Sequence, residues 1–180
     1  MEIWQEIASD RDAGTRRLVA EYGDRLMTAA SILCKDESAA EDLVFRAFEK
    51  AVGKIGQYSG KSPFYNWLYS IVFHIFQSDC RKMRAELFTM GEVPERAVSA
   101  WEACSGKLAP DECLVVKEAV QSLPPQFREA VVLRYYEDKS LQEISEILSI
   151  SVNTVKSRLR LAYGRLNGIL SGKIGKGVVK

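Results

Sequence analysis

The sequence predicts an all-α protein made of two small helical domains joined by a flexible linker, with a helix-turn-helix in the C-terminal domain. Apolar residues recur at helical spacing almost throughout, and no stretch of strict alternation between turn signals indicates a strand. The periodicity fades between about Phe88 and Asp111, where two glycines and two prolines interrupt it. The predicted domains are therefore 1–87 and 113–180, with a linker over 88–112.

Three long helices are predicted in the N-terminal domain. The first covers 13–33, and the second covers 38–55 after a short polar break. A loop over 56–62 follows, and Pro63 suits the first turn of a third helix over about 64–86. That helix opens with apolar and aromatic residues and ends with basic ones.

Helices over 113–121 and 126–136 precede the helix-turn-helix of the C-terminal domain, with a Leu-Pro-Pro break between them. In the motif itself, apolar residues fall on one face of the first helix and recur at helical spacing on the second. Ser151 is a natural N-cap for the second helix. Ser149 occupies the turn position often taken by glycine, so it must adopt a strained backbone angle.

Charge is segregated in the C-terminal part of the chain. From Ser151 to Lys180 every charged residue is basic, although the net charge of the whole chain is only +1. Local basic charge can neutralise phosphates, and an exposed helix of a helix-turn-helix can read base edges in the major groove. A merely solvated basic helix is the alternative. The outward positions of the second helix are Asn153, Lys156, Ser157, Arg160 and Tyr163.

Composition excludes several classes of protein. The chain has 180 residues, 47% of them hydrophobic, which is enough for one sizeable or two small cores. No signal peptide and no apolar run of membrane-spanning length is present, so a cytoplasmic protein without membrane insertion is expected. The four cysteines are scattered, and His74 is the only histidine. We therefore expect no metal, no cofactor and no catalytic residue, and the chain is not expected to be an enzyme.

The order of these elements resembles the extracytoplasmic function (ECF) group of sigma factors in the sigma-70 family, in which two helical regions, 2 and 4, are joined by a variable linker. The resemblance covers nearly the whole chain, and the two signatures in this order are more specific than either alone. Region 2 is carried by Ala40-Glu-Asp-Leu-Val44 with Phe48 and by 58–71, and region 4 by 122–135, the helix-turn-helix and 154–159.

The resemblance implies three interfaces. The second helix of region 2 would bind core RNA polymerase, the loop and third helix would recognise and melt the minus 10 promoter element, and the helix-turn-helix would read the minus 35 element. The residues implied for core polymerase are Glu41, Asp42, Leu43, Val44 and Phe48. Those implied for the minus 10 element are Phe64, Tyr65, Asn66, Trp67, His74, Arg81, Lys82 and Arg84. Those implied for the minus 35 element are Asn153, Thr154, Lys156, Ser157, Arg158 and Arg160.

The chain departs from the family at a few of these positions. Phe45 and Arg46 stand where the family frequently has Gln and Glu, His74 replaces a usual Asn, and Leu161 replaces a frequent Arg. Each family assignment also has a structural alternative. Glu41 and Asp42 could cap their own helix, the aromatic residues after Pro63 could be ordinary core, and the basic end of the third helix could complement the helix dipole.

The function predicted from these observations is that of an ECF sigma factor, a monomer when free, whose partners are core RNA polymerase, promoter DNA and an anti-sigma factor. One alternative is a sigma-like decoy that sequesters an anti-sigma factor without binding DNA. A second alternative is a conventional dimeric helix-turn-helix regulator, which would recognise palindromic sites.

Overall fold

A computed structural model of the chain describes residues 2–89 and 112–173, and within them every regular element is a helix. This confirms the predicted all-α fold with two helical regions. Most of the predicted linker, residues 90–111, lies outside the described residues. The first region contains α1 (Ile3–Ser9), α2 (Arg11–Leu33), α3 (Glu37–Gly53), a 3-10 turn (Ile55–Gln57) and α4 (Phe64–Thr89). The second contains α5 (Glu112–Gln121), α6 (Pro125–Val131), a π segment (Val132–Tyr136), α7 (Leu141–Leu148) and α8 (Val152–Lys173).

Helix α1 was not predicted from the sequence. It has only seven residues, and its two buried side chains, Ile3 and Ile7, are one turn apart. The helix packs against α2 where α2 carries Gly14. A Cβ atom at Gly14 would lie 2.5 Å from the Ile7 Cα atom, so the approach of the two backbones requires glycine at this position.

Aspartates set the starts of the next two helices slightly earlier than predicted. The Asp10 carboxylate accepts the backbone N–H of Ala13 at 3.0 Å, and Asp36 accepts that of Ala39 at 3.0 Å. Each side chain satisfies a backbone donor that the first helical turn leaves without a partner. Helix α3 ends at Gly53 rather than 55, because a 3-10 turn follows it.

The predicted single helix over 126–136 is two elements. Helix α6 ends at Val131, and the π segment continues to Tyr136. In this segment the N–H of Glu137 donates to the Val132 carbonyl at 3.2 Å, which is the wider spacing of a π turn. Leu133 is completely buried there, whereas Tyr135 is 52% exposed.

The helix-turn-helix forms as the sequence predicts. Ser140 and Glu143 make a reciprocal capping box at the start of α7. Ser149 has φ 54°, so the left-handed turn residue is confirmed. The Ser151 hydroxyl accepts the Thr154 backbone N–H at 3.1 Å, which confirms Ser151 as the N-cap of α8.

The two regions pack together, and we refer to the contact between residues 2–89 and 112–173 as the seam. One hydrophobic cluster extends across it, with α7 lying against α4 and the π segment against α2. Polar contacts add to this packing. The Gln121 side-chain amide donates to the carbonyls of Ser31 (2.8 Å) and Cys34 (3.0 Å), and the Arg128 guanidinium donates to the Leu33 carbonyl.

Candidate functional site

The outer face of α8 is the first candidate interface. Its buried side contains Val155, Leu159 and Ala162, which pack into the core. On the other side, the residues predicted to read DNA are exposed; they are Asn153, Thr154, Lys156, Ser157 and Arg160. Tyr163 extends this face and contacts Tyr135 edge to face with ring centroids 5.8 Å apart. The α8 face therefore combines hydrogen-bond donors, basic charge and aromatic surface.

Arg158 does not share this outer face, although it was predicted to contact DNA. Its side chain is only 21% exposed, and its guanidinium lies 3.7 Å from the Glu129 carboxylate on α6. The helical rotation of two residues from Lys156 directs Arg158 inward. In this arrangement the Arg158 guanidinium faces a buried acid and is largely shielded from solvent.

Glu129 is the buried acid that Arg158 faces. It is 1% exposed, and Gln77 on α4 donates a hydrogen bond to it across the seam at 3.0 Å. Burial raises the pKa of Glu129 to about 7, although the bond from Gln77 and the charges of Arg158 and Arg128 oppose that rise.

We expect this acid to make stability depend on pH. Because the folded-state pKa lies above the unfolded one, the folded protein should lose stability as pH rises through the window between about 4.5 and about 7. Glu129→Gln should remove that loss, so the variant gains stability over the wild type near pH 8 but not near pH 4.5. Urea unfolding across this pH range measures the difference. Glu49→Gln, at an exposed position, is the control, and an equal profile for all three proteins would contradict the assignment.

A cleft of about 360 Å³ lies beside the N-terminal half of α4. Trp67 and His74, two of the residues predicted for the minus 10 element, contribute to it from α4. Two lysines that were not predicted, Lys50 and Lys54, line it from the end of α3. Their spacing of four residues just before the aromatic segment was the available sequence signal. The complete lining is Lys50, Lys54, Gln57, Trp67, Ser70, Ile71 and His74.

An aromatic cluster supports this cleft from below. Tyr58, Phe64 and Trp67 lie with ring centroids 5.2 to 5.5 Å apart, and Trp4 of α1 contacts Tyr58 at 5.8 Å. The Tyr58 hydroxyl donates to the Ser62 carbonyl at 2.6 Å, which closes the loop before α4. Phe64 is 8% exposed, so this residue supports the cleft and does not form its surface.

Tyr65 and Asn66 were predicted to belong with Trp67, but the structure places them on another side of α4. They are 7% and 4% exposed, respectively, because α7 and the segment before it cover them. Successive helical residues differ by about 100° in direction. The predicted minus 10 residues are thus divided between the cleft and the seam. Arg81, Lys82 and Arg84 are exposed at the far end of α4, where no described contact engages them.

The α3 surface that was predicted to bind polymerase has a different composition from the one expected. Leu43, Val44 and Phe48 are 2%, 6% and 8% exposed, so they belong to the core and cannot form the contact surface themselves. Glu41, Asp42, Phe45 and Glu49 are exposed on one side of the helix, and we call this group the α3 face. Helix α3 begins at Glu37 with Asp36 as its N-cap, so Glu41 and Asp42 do not cap it.

Arg46 lies beside the α3 face, but its charge is compensated. The guanidinium makes two bonds to Asp79 on α4, at 2.9 and 3.0 Å, and one to Asp42 at 2.8 Å. The hydrogen bonds that Arg46 donates to Asp79 and Asp42 raise its pKa, so it remains a cation held by two carboxylates. Phe45, 70% exposed, is left as the large apolar group of an otherwise acidic face.

Comparison with known families agrees with the geometry of both regions. Residues 18–86 match the family described as Sigma-70 region 2, and residues 113–166 match Sigma-70, region 4. The two matches in this order define a two-region transcription initiation factor. The chain belongs to the ECF group of the sigma-70 family of RNA polymerase sigma factors.

Several characterised relatives cover most of the chain. The ECF RNA polymerase sigma factor SigW of Bacillus subtilis is 28% identical over 166 residues, which are 87% of this chain and 88% of the relative. RNA polymerase sigma-H factor of Pseudomonas aeruginosa is 28% identical over 155 residues, or 79% of this chain and 78% of the relative. SigE of Mycolicibacterium smegmatis is 30% identical over 157 residues, 86% of this chain and 60% of the relative.

Two solved structures share the fold. The sigma factor RpoE from Bartonella quintana, crystallised with the anti-sigma factor NepR, gives a TM-score of 0.66 at 24% identity, covering 89% of this chain and 98% of that one. CnrH in complex with the cytosolic domain of CnrY gives 0.66 at 22% identity, covering 94% of this chain and 96% of that one.

No helix within 2–89 and 112–173 is both long and apolar enough to cross a membrane. Within the same ranges, no group of three or more His, Cys, Asp or Glu side chains could hold a metal ion. Cys34 and Cys80 are free and partly buried, and burial raises the pKa of each thiol to about 11.

Proposed function

We propose that this sigma factor acts as a monomer in the cytoplasm and recruits core RNA polymerase to promoters through two separate DNA contacts. The observation that carries the proposal is the α8 face, where Asn153, Lys156, Ser157 and Arg160 are exposed together. This face belongs to a helix-turn-helix in which side chains cap the starts of both helices. This face would enter the major groove at the minus 35 element, with Arg160 and Lys156 bonding base edges. Thr154, at the start of the helix, would contact phosphate.

The cleft beside α4 would receive the minus 10 element. A base extruded from the stack needs an aromatic wall, polar groups at its edge and cations for its phosphates. Trp67 offers the first, Ser70 and His74 offer the second, and Lys50 with Lys54 offers the third. The volume of about 360 Å³ lies within the usual range of ligand sites, roughly 300–1,000 Å³. Arg81, Lys82 and Arg84 would continue the phosphate path along α4.

The α3 face would dock on a basic, partly apolar surface of core polymerase. Glu41, Asp42 and Glu49 supply negative charge, and aromatic residues such as Phe45 are enriched at the centres of protein interfaces. Leu43, Val44 and Phe48 would fix the position of this face from the core side. Arg46 does not oppose a basic partner strongly, because Asp79 and Asp42 already compensate it.

Phe45→Ala is expected to weaken binding to core polymerase by about 1–2 kcal/mol, or roughly 5- to 30-fold, because an aromatic anchor at an interface centre carries energy of this size. Because the Phe45 side chain is 70% exposed, its removal should leave the fold intact. Titration of fluorescently labelled protein with core polymerase measures the change. Met83→Ala removes a similarly exposed apolar side chain, at 63%, from α4 and serves as the control. Unchanged binding by the Phe45 variant would contradict this role.

An anti-sigma factor is also proposed as a partner. Two proteins with the same fold were solved in complex with such regulators, which supports the proposal by similarity of fold. It would cover the α3 face or the DNA-reading surfaces, because those are the exposed groups that initiation needs.

Run-off transcription on fragmented genomic DNA, with core polymerase and with or without this protein, tests the whole proposal. Protein-dependent start sites preceded by two shared elements at fixed spacing are expected. The control is the same polymerase with another sigma factor. If only the control produces discrete starts, the initiation function is wrong, and a decoy that binds an anti-sigma factor becomes the better explanation.

A further inference from the structure

Glu137 is an acid of region 4 that is buried against region 2. Its side chain is 2% exposed, and the Arg25 guanidinium of α2 binds it at 2.8 and 2.9 Å. The Tyr65 hydroxyl of α4 donates to the same carboxylate oxygen at 3.2 Å. Arg25 and Glu137 are 112 residues apart in the chain, so this contact exists only while the two regions are packed together.

Glu143 makes a second contact of the same kind. The Asn66 side-chain amide donates to one Glu143 oxygen at 3.1 Å, while the other oxygen accepts the backbone N–H of Ser140 at 3.0 Å. These bonds, led by the one from the Ser140 backbone, lower the pKa of Glu143 to about 2. Glu143 therefore remains an anion at any physiological pH while the seam is closed.

The groups that receive these two carboxylates have the chemistry of a single-strand site. The Tyr65 ring is stacked on Tyr22 at 5.4 Å, and the Arg25 guanidinium lies 4.1 Å from its centre on a cation-π contact. Stacked aromatic rings, a guanidinium and a side-chain amide are the groups that bind bases and phosphates of an unpaired strand. Asn66 adds the amide, and its side-chain oxygen is buried without a hydrogen-bond partner in this arrangement.

Both carboxylates come from one short segment, 137–143, which runs from the end of the π segment into the first turn of α7. Asp138 within it has φ 53°, a left-handed conformation that non-glycine residues adopt at a cost. Arg25 is 52% exposed, so it can exchange a carboxylate for a phosphate without leaving its position. The segment 137–143 thus places two carboxylates against Arg25, Tyr65 and Asn66, and its Lys139 lies 5.2 Å from the centre of the Tyr65 ring.

We propose that segment 137–143 is an internal competitor of single-stranded DNA: Glu137 and Glu143 occupy a strand-binding site formed by Arg25, Tyr65 and Asn66, and opening of the seam uncovers it. The inference rests on the proposed function, because it takes the melted promoter strand as the ligand. It adds Arg25 to the DNA-binding residues. It also explains why two predicted minus 10 residues, Tyr65 and Asn66, are buried while Trp67 is not.

The test compares two double variants of the full chain with equal charge changes. Glu137→Gln with Glu143→Gln weakens the competitor, and glutamine still allows the capping box at Ser140. Asp138→Asn with Glu146→Gln removes two exposed charges from the same part of the chain, and asparagine tolerates the left-handed conformation. The probe is a fluorescein-labelled 12-nucleotide single strand of random sequence, with affinity measured by anisotropy at fixed salt.

The competitor variant is expected to bind the strand about tenfold or more tightly than the wild type, because charge-assisted bonds to each carboxylate are lost from the closed form. The control variant is expected to gain much less. Adding Arg25→Ala to the competitor variant should abolish most of the gain. Equal affinities of the two double variants would overturn the proposal, and a gain that survives Arg25→Ala would overturn the assignment of the site.

A second measurement on the unmodified protein guards against a folding defect in the variants. Saturating strand should increase hydrogen exchange of the backbone amides in 137–143 and α7, since strand binding displaces them from α4. Strand binding without such an increase would overturn the proposal. The outcome is independent of polymerase, so absent transcript starts would remove the initiation function while leaving this competition to stand or fall on its own result.

Discussion

Arg160→Ala is expected to weaken binding to the minus 35 element by about 1–3 kcal/mol, roughly 5- to 150-fold, because one bidentate contact to a base edge contributes that much discrimination. Arg160 is exposed on the α8 face, one turn from Lys156. Among the described residues, no hydrogen bond or ion pair gives its side chain a structural role. The effect should fall mainly on templates that carry the preferred base, and template variants at each minus 35 position should show one position where the discrimination disappears.

Arg165→Ala is the matched control for this measurement. It removes the same charge from the same helix, but the Arg165 guanidinium lies over the Phe127 ring, 5.4 Å from its centre, and so contacts its own domain. Holoenzyme binding to labelled promoter fragments gives the affinities at one salt concentration. An equal loss on every template for Arg160→Ala would show a phosphate contact and contradict base reading.

Leu133→Ala should give the largest loss of stability, about 2–5 kcal/mol, because it leaves a cavity around a completely buried side chain. Leu133 lies in the π segment, which contacts α2 of region 2 as well as α6 and α7 of region 4. Because helices of both regions enclose Leu133, we expect little movement of its neighbours into the cavity. Urea unfolding followed by circular dichroism measures the change in the free energy of unfolding.

Leu161→Ala, at 50% exposure on α8, controls for the loss of a leucine from a helix and should change stability by less than about 0.5 kcal/mol. Because one hydrophobic cluster spans both regions, a single unfolding transition is expected for the wild type. If Leu133→Ala unfolded region 4 alone at lower urea while region 2 was unaffected, the shared core would contribute little to cooperativity.

The sequence was most informative where local chemistry determines local structure. The N-cap at Ser151, the left-handed conformation at Ser149 and the exposed positions of α8 all follow from the identity of nearby residues and helical geometry. The same reasoning failed for α1, because a helix of seven residues with two buried side chains provides too short a periodic signal.

The remaining differences between prediction and structure depend on contacts between residues that are far apart in the chain. A family position says that Leu43 and Phe48 lie near an interface, but only the packing of α3 on its neighbours shows that they face the core. The inward direction of Arg158 depends on Glu129, and the burial of Tyr65 depends on Glu137, 72 residues away. No periodicity within one helix encodes such pairs, so the seam could not be predicted.

The close approach of α1 to Gly14 has a consequence for the cleft. Because α1 also carries Trp4, which contacts Tyr58 under the cleft, the missing side chain at position 14 and the wall formed by Trp67 are mechanically connected. Through the Trp4 ring, α1 therefore reaches an aromatic cluster that lies more than fifty residues further along the chain. A larger residue at position 14 would push α1 away from α2, and we expect this to disturb the ring contacts under the cleft.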